Sequence, residues 1–306
     1  MDATESTATT ILAGAKRSSG GSSSRSASIT VVVPTLNEAA NLPHVLPLIP
    51  DFVDEVVLVD GHSVDSTIAV ARAIRPDIRV VLQSGRGKGN ALACGFAAAS
   101  GDIIVAMDAD GSTDPAEIPR FVETLFAGSD YAKGTRYGRD GRSHDVTLVR
   151  NVGNWGLAIA VNMLFRTRYT DVTYGYNAFW RDCLQHLSVD CDGFEVETLM
   201  TVRVARAGLA MTEVPCVEHK RIHGESKLHA ARDGLRILRM IVRERARQHR
   251  NERALEGWRP PFRELAQGEG IPVVYKRLES GSRHEAHTHG SAARSELSPS
   301  VGVASP

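Results

Sequence analysis

The pattern of apolar and polar positions becomes regular at Ile29-Thr30-Val31-Val32-Val33, a β-branched run stopped by Pro34. A run that is apolar on both faces reads as a buried strand. Similar runs recur at 55–59, 79–82 and 102–107, ending at Asp60, before Gln83 and at Asp108. Patterns of helical period fill the gaps at 66–74, 90–99 and 116–126. Strands alternating with helices predict an α/β fold with a mostly parallel open sheet and helices on both faces. Ligands of such sheets sit beyond the carboxyl ends of the strands. That rule singles out Pro34 to Glu38, Asp60 to Asp65 and Asp108 to Asp110.

After Tyr131 the pattern loosens. Residues 146–165 read as an apolar helix, 172–180 as extended chain, 194–207 as a helix closed by Gly208 in a left-handed cap, and 209–217 as a strand. Residues 228–250 read as a basic amphipathic helix, with Leu235, Leu238 and Ile241 on one side. The Ser/Thr/Gly/Ala-rich residues 1–28 and the Pro/Gly/Ser/His-rich residues 251–306 read as disordered tails. The organisation expected is therefore a catalytic domain over 29–227, the basic helix packed on or beside it, and a tail at each end. His284, His287 and His289 lie in the second tail, where a plain polar tail is favoured over metal binding.

Composition narrows the classes. The chain has 306 residues, 42% of them hydrophobic, and zero formal net charge. That supports a sizeable core and gives no global field for a polyanion. Between Glu218 and Arg250, however, ten lysines and arginines face four acids. No aromatic residues interleave with those arginines, so nucleic acid is not expected. Two readings of the helix stay open: a core-packed helix with a solvated charged face, and a peripheral contact with anionic lipid. Cys94, Cys183, Cys191 and Cys216 form no CxxC pair, which suits small buried hydrophobes in a reducing compartment. No secretory leader is visible. The longest apolar stretch, 155–165, is too short to span a bilayer and contains Asn162. A cytoplasmic protein, in solution or peripheral on the inner face of the membrane, is expected.

Four strand-end motifs carry the candidate chemistry. Asp108-Ala109-Asp110 places two carboxylates where both reach one hard divalent cation, Mg2+ or Mn2+, able to neutralise a diphosphate leaving group. Pro34-Thr35-Leu36-Asn37-Glu38 follows the first strand. Asp60-Gly61-His62-Ser63 follows the second, with Asp65 or Ser66 available to cap the next helix. Gly85-Arg86-Gly87-Lys88-Gly89 offers backbone N–H groups and a lysine to phosphate. Its spacing is not that of a P-loop, and no Gly-x-Gly-x-x-Gly follows the first strand, so a nicotinamide dehydrogenase is disfavoured.

These four motifs, in this order, resemble the family 2 glycosyltransferases of GT-A fold, closest to dolichol-phosphate mannose synthases and bacterial polyprenyl-phosphate relatives. The resemblance runs from Ile29 to Leu228. The second half adds Gly134-Thr135-Arg136-Tyr137, Arg150-Asn151 with Asn154, Asp171 with Gly175 to Phe179, Gly193 to Glu197, and Arg221 with Gly224 to Leu228. The chain departs at Asn177, where the family usually has Arg, and at 60–63, where it often has Asp-Asp-Gly-Ser.

The resemblance implies an inverting, metal-dependent hexosyltransferase. Its donor is a GDP- or UDP-linked sugar and its acceptor a polyprenyl phosphate. It implies that Pro34, Thr35, Asn37, Glu38, Asp60 and Lys88 belong to the donor site. Asp108 and Asp110 hold the metal, and Arg221 with Lys227 closes over the diphosphate. Arg136 and Arg150 grip the acceptor phosphate. Glu195 or Glu197 would serve as base for an alcohol acceptor. Two other readings are a family 2 enzyme acting on a hydroxyl of a small molecule or polysaccharide, and a non-catalytic nucleotide-sugar-binding protein.

Overall fold

A computed structural model of the chain describes residues 27–138, 140–226 and 228–251. Lys227, the tail histidines and nearly all of both expected tails lie outside the described residues. Seven strands form one sheet in the order β3-β2-β1-β4-β7-β5-β8. They are β1 (Ile29–Thr35), β2 (Glu55–Asp60), β3 (Arg79–Leu82), β4 (Ile103–Ala106), β5 (Tyr131–Thr135), β7 (Asn177–Trp180) and β8 (Met211–Pro215). The short strands β6 (Arg142–Ser143) and β9 (Val217–Glu218) pair separately. The helices are α1 (Leu42–Val45), α2 (Thr67–Ile74), α3 (Gly87–Ala98), α4 (Ile118–Phe126), α5 (Leu148–Phe165), α6 (Leu184–Leu187), α7 (Val196–Ala207) and α8 (Ala230–Asn251).

All pairings in the large sheet are parallel except those of β7, which runs antiparallel between β4 and β5. The expected extended segment 172–180 is strand only over its last four residues. The expected strand 209–217 breaks at Cys216, and its end pairs with β6 instead of the main sheet. Val31, Val32 and Val33 are fully buried, as strands covered on both faces require. Gly208 closes α7 at φ 66°, the left-handed cap that the sequence suggests.

Three helices build a second apolar cluster beside the sheet. Ala158 and Val161 of α5, Leu199 and Val202 of α7, and Ile237, Met240 and Ile241 of α8 pack together with Val172. Leu235 and Leu238 are exposed. The buried stripe of α8 is thus rotated from the one read by periodicity. It also carries Glu244, fully buried, which accepts from Arg203 at 3.1 Å and Arg247 at 3.0 Å and pairs with Arg206. This charged anchor selects the inward face of α8, because a buried carboxylate is tolerated only where cations meet it.

Candidate active site

The carboxyl ends of β1, β2 and β4 open into a cleft of about 1210 Å³. Its floor holds Pro34, Thr35 and Glu38 from the end of β1, and Asp108 and Asp110 from the end of β4. Lys88, Arg136, Arg150, Glu197 and Arg221 complete the expected residues that line it. The β4 tip turns sharply: Asp110 Oδ1 accepts from Ser112 N at 2.9 Å, and Gly111 sits at φ 81°.

Asp108 and Asp110, the two carboxylates expected to hold a metal, are each paired with a cation from elsewhere in the chain. Lys88 Nζ lies 2.6 Å from Asp108 Oδ1 and 2.9 Å from Glu197 Oε1. Burial works against the ammonium, yet the two carboxylates outweigh it, so its pKa is raised. Arg221 Nη2 lies 2.6 Å from Asp110 Oδ2, while its Nη1 donates to Glu38 at 3.0 Å. The segment around Arg221 is fixed from both sides. Ile222 N donates to Asp110 O at 3.0 Å, and His223 N donates to Asn41 Oδ1 at 2.9 Å.

Several expected roles change. Lys88 is not a free phosphate ligand; it is the counter-ion of Asp108. The glycines beside it serve packing. A Cβ on Gly87, at φ 80°, would stand 2.0 Å from the Asp192 carbonyl oxygen, and Gly89 N donates to that oxygen at 3.0 Å. The loop therefore opens α3 against the 191–193 backbone, which also moves the helix start from residue 90 to Gly87. Arg136 lines the cleft with its guanidinium committed to protein. Its guanidinium donates to both Asp171 oxygens, at 2.7 and 3.0 Å, to Thr173 at 2.8 Å and to Glu218 at 3.3 Å. Such a filled fork leaves no pair of donors for a phosphate.

Glu197 is buried between Lys88 and Asn177 Nδ2, and Glu195 does not line the cleft. Neither is placed as a free base. Asn37 also lies off the cleft. It stands at φ 59° and joins two loops, with its N donating to Ser63 Oγ and its Oδ1 accepting from Val64 N, both at 2.8 Å. Asp60 is buried under Gly61 and His62, which do line the cleft. One Asp60 oxygen accepts from Ser63 N at 2.9 Å, and the other has no hydrogen-bond partner.

Arg150 differs from Arg136. It enters from the first turn of α5, where Thr147 caps the helix, and lines the cleft. Its contacts are looser: Ser226 Oγ at 2.8 Å, Leu228 O at 3.5 Å and Asp145 at 3.7 Å.

Two structural contributors escaped the sequence reading. Asn41, which no motif singled out, holds the Arg221 segment through His223, whose N donates to its Oδ1 and whose carbonyl accepts from its Nδ2. Gly175 lets Lys88, Glu197 and Asp108 converge, since a Cβ there would lie 2.6 to 3.3 Å from all three side chains. Its place in a recognisable motif was the available signal.

The two carboxylates suit a hard cation only in part. No group of three or more His, Cys, Asp or Glu is placed to hold a metal among the described residues. Two carboxylates fit Mg2+ or Mn2+ that arrives with a diphosphate, whose oxygens and water complete the shell.

Comparisons with known proteins bear on the family and the fold. Residues 30–145 match the family described as Glycosyl transferase family 2. The undecaprenyl-phosphate mannosyltransferase of Micrococcus luteus is 32% identical over 212 residues, covering 65% of this chain and 87% of the relative. Glycosyltransferase AglJ of Haloferax volcanii is 31% identical over 212 residues, covering 67% and 68%. Among solved structures, glucosyl-3-phosphoglycerate synthase from Mycobacterium tuberculosis superposes with a TM-score of 0.58 at 26% identity. The match covers 72% of this chain and 80% of that one, in a complex with Mn2+, UDP and glucosyl-3-phosphoglycerate. The same synthase is also known with Mg2+ and UDP.

Proposed function

Because the chain belongs to glycosyl transferase family 2 and has the GT-A fold, we propose that it transfers a sugar from a GDP- or UDP-linked donor to a polyprenyl phosphate, with inversion. The observation that carries this reading is the sharing of one cleft by Asp108, Asp110 and Arg221 with the less committed Arg150. One relative's name specifies undecaprenyl phosphate, and the matched synthase binds UDP with Mn2+ or Mg2+.

An acceptor phosphate oxygen attacks the anomeric carbon as the bond to the nucleoside diphosphate breaks on the opposite face. The attacking phosphate is mostly dianionic at neutral pH, since its second pKa is near 6, so no base is needed. That suits a cleft in which Glu197 is capped by Lys88, and it disfavours a hydroxyl acceptor, which would need one. Arg150 orients the acceptor phosphate, and Arg221 follows the charge that develops on the leaving diphosphate. A divalent cation held by Asp108 and Asp110 would add Lewis-acid neutralisation of that leaving group.

The direct test incubates the protein with Mn2+, a panel of nucleotide sugars and polyprenyl phosphate. Transfer to the lipid is expected. Transfer only to alcohols would overturn the acceptor assignment, and donor binding without turnover would overturn the enzyme reading. Arg150→Ala should raise the acceptor KM roughly tenfold or more, the worth of a charge-assisted hydrogen bond, with the donor KM unchanged; the reverse split would move Arg150 to the donor side.

Arg221 gives a separate readout. It neutralises Asp110 before ligand arrives and must release it as the diphosphate binds. Arg221→Ala should therefore bind Mn2+ alone more tightly, roughly threefold or more, and UDP about tenfold more weakly. Calorimetry of each ligand separately checks both signs. Equal Mn2+ affinity in the two proteins would refute the counter-ion role.

A further inference from the structure

The outer face of α5 is chemically inverted. Surface helices normally turn charged residues to water and apolar ones inward. Residues 151–165 of α5 contain no charged side chain at all. Its polar side chains are tied to protein: Asn154 is buried and accepts from Thr173, and Asn162 donates to the Tyr169 carbonyl at 2.8 Å. Facing outward instead are Leu148 (78% exposed), Val152, Trp155 (67%), Ile159 and Met163 (77%). Their spacing of three and four residues aligns them along one side of the helix. Contiguous exposed apolar surface of this kind marks an interaction site.

We infer that this face of α5 docks on an anionic membrane surface, its side chains entering the headgroup–acyl boundary. Charge complementarity selects this occupant. Residues 146–170 contain three arginines, Arg150, Arg166 and Arg168, and no acid. Arg166 and Arg168 are exposed just beyond the C-terminal end of the stripe. Exposed Arg239 and Arg243 of α8, the helix packed against α5, add positive charge. An apolar stripe bordered by arginines is the pattern of an interfacial helix.

The geometry of the mouth agrees. Val149 is 70% exposed and also lines the catalytic cleft, so the stripe begins where Arg150 enters. Beside Trp155 and Ile159 a groove of about 510 Å³, lined also by Tyr137 and Tyr169, offers room for hydrocarbon. No described helix is long and apolar enough to cross a membrane. Docking through α5 is thus a way for the described domain to meet a lipid-borne acceptor. In that respect the inference deepens the polyprenyl-phosphate reading.

The experiment is co-sedimentation of the full chain with vesicles of phosphatidylcholine alone or with 30% phosphatidylglycerol, free of polyprenyl phosphate, about a third anionic lipid being enough for a negative surface potential. Wild type should bind the anionic vesicles, and the triple substitution V152S/W155S/M163S should weaken binding roughly tenfold or more. Circular dichroism and UDP binding should be unchanged, because the three side chains already face solvent. Equal binding by variant and wild type would overturn the assignment, as would failure of wild type to bind either vesicle. Sedimentation showing that the substitutions dissolve a dimer, with vesicle binding intact, would give the face to a second copy and also overturn it. The catalytic reading is judged separately, by transfer to polyprenyl phosphate in detergent. Vesicle binding without such transfer would sink that reading alone.

Discussion

Asp110→Asn is expected to lower sugar transfer by about a thousandfold or more and to remove its dependence on Mn2+. The substitution keeps the size and the turn, since an amide oxygen still accepts from Ser112 N. It removes one of the two carboxylate charges at the β4 tip. Charge stabilisation of a leaving group is commonly worth about 3–4 kcal/mol per contact, a factor of 100 to 1000. Loss of a metal ligand adds the loss of Lewis-acid neutralisation. Turnover measured across a Mn2+ titration, with UDP-dependent Mn2+ binding by calorimetry, reads both effects. The binding measurement also shows whether a folded but inactive variant has lost the cation or only the chemistry. Turnover equal to wild type at all Mn2+ concentrations would remove Asp110 from the site, and with it the proposal that the β4 tip is the diphosphate end of the cleft.

Arg136→Ala is expected to damage stability more than recognition. Asp171 is fully buried, and Arg136 holds both of its oxygens. Removing one partner of a buried pair strands the other charge, which costs about 3–5 kcal/mol. For a domain of this size that corresponds to a fall in Tm of roughly 6–20 °C. Urea denaturation checks the first figure and thermal unfolding the second. A stable variant with only a raised acceptor KM would return Arg136 to the acceptor site. The same pair predicts a pH dependence. Burial alone would raise the Asp171 carboxyl, but the Arg136 guanidinium outweighs it and holds the pKa below its ordinary 3.8. The pair's contribution is then fully present above that ordinary value and is lost as pH falls through the lower folded-state value. Wild type should lose this contribution below pH 3.8, and the variant, lacking it, should show a flatter dependence there.

The two arginines show why the site was only partly legible. Arg136 and Arg150 look alike in sequence, each set in a motif that suggests phosphate binding. Nothing local separates them, because the carboxylate that claims Arg136 lies 35 residues away. Lys88 is similar. A lysine among glycines reads as a phosphate cradle, yet its partners are just beyond β4 and on α7, and the glycines are explained by the 191–193 backbone against them. The exposed stripe of α5 was hidden for the opposite reason. An apolar helix reads as core, and only the positions of α7 and α8 show which side of it remains uncovered.

What the sequence determined by itself was the alternation of strand and helix, the order of the polar strand tips, and hence the place of Asp108, Asp110 and Glu38 at the carboxyl end of the sheet. Those features follow from short-range periodicity, where each residue's neighbours are within a turn or a pleat. The tertiary structure alone decided which cations are spent on protein carboxylates and which remain for ligand. Ion pairing depends on separations in space: Arg221 meets Glu38 across 183 residues of chain. A charge's partner, unlike its strand, is not written next to it.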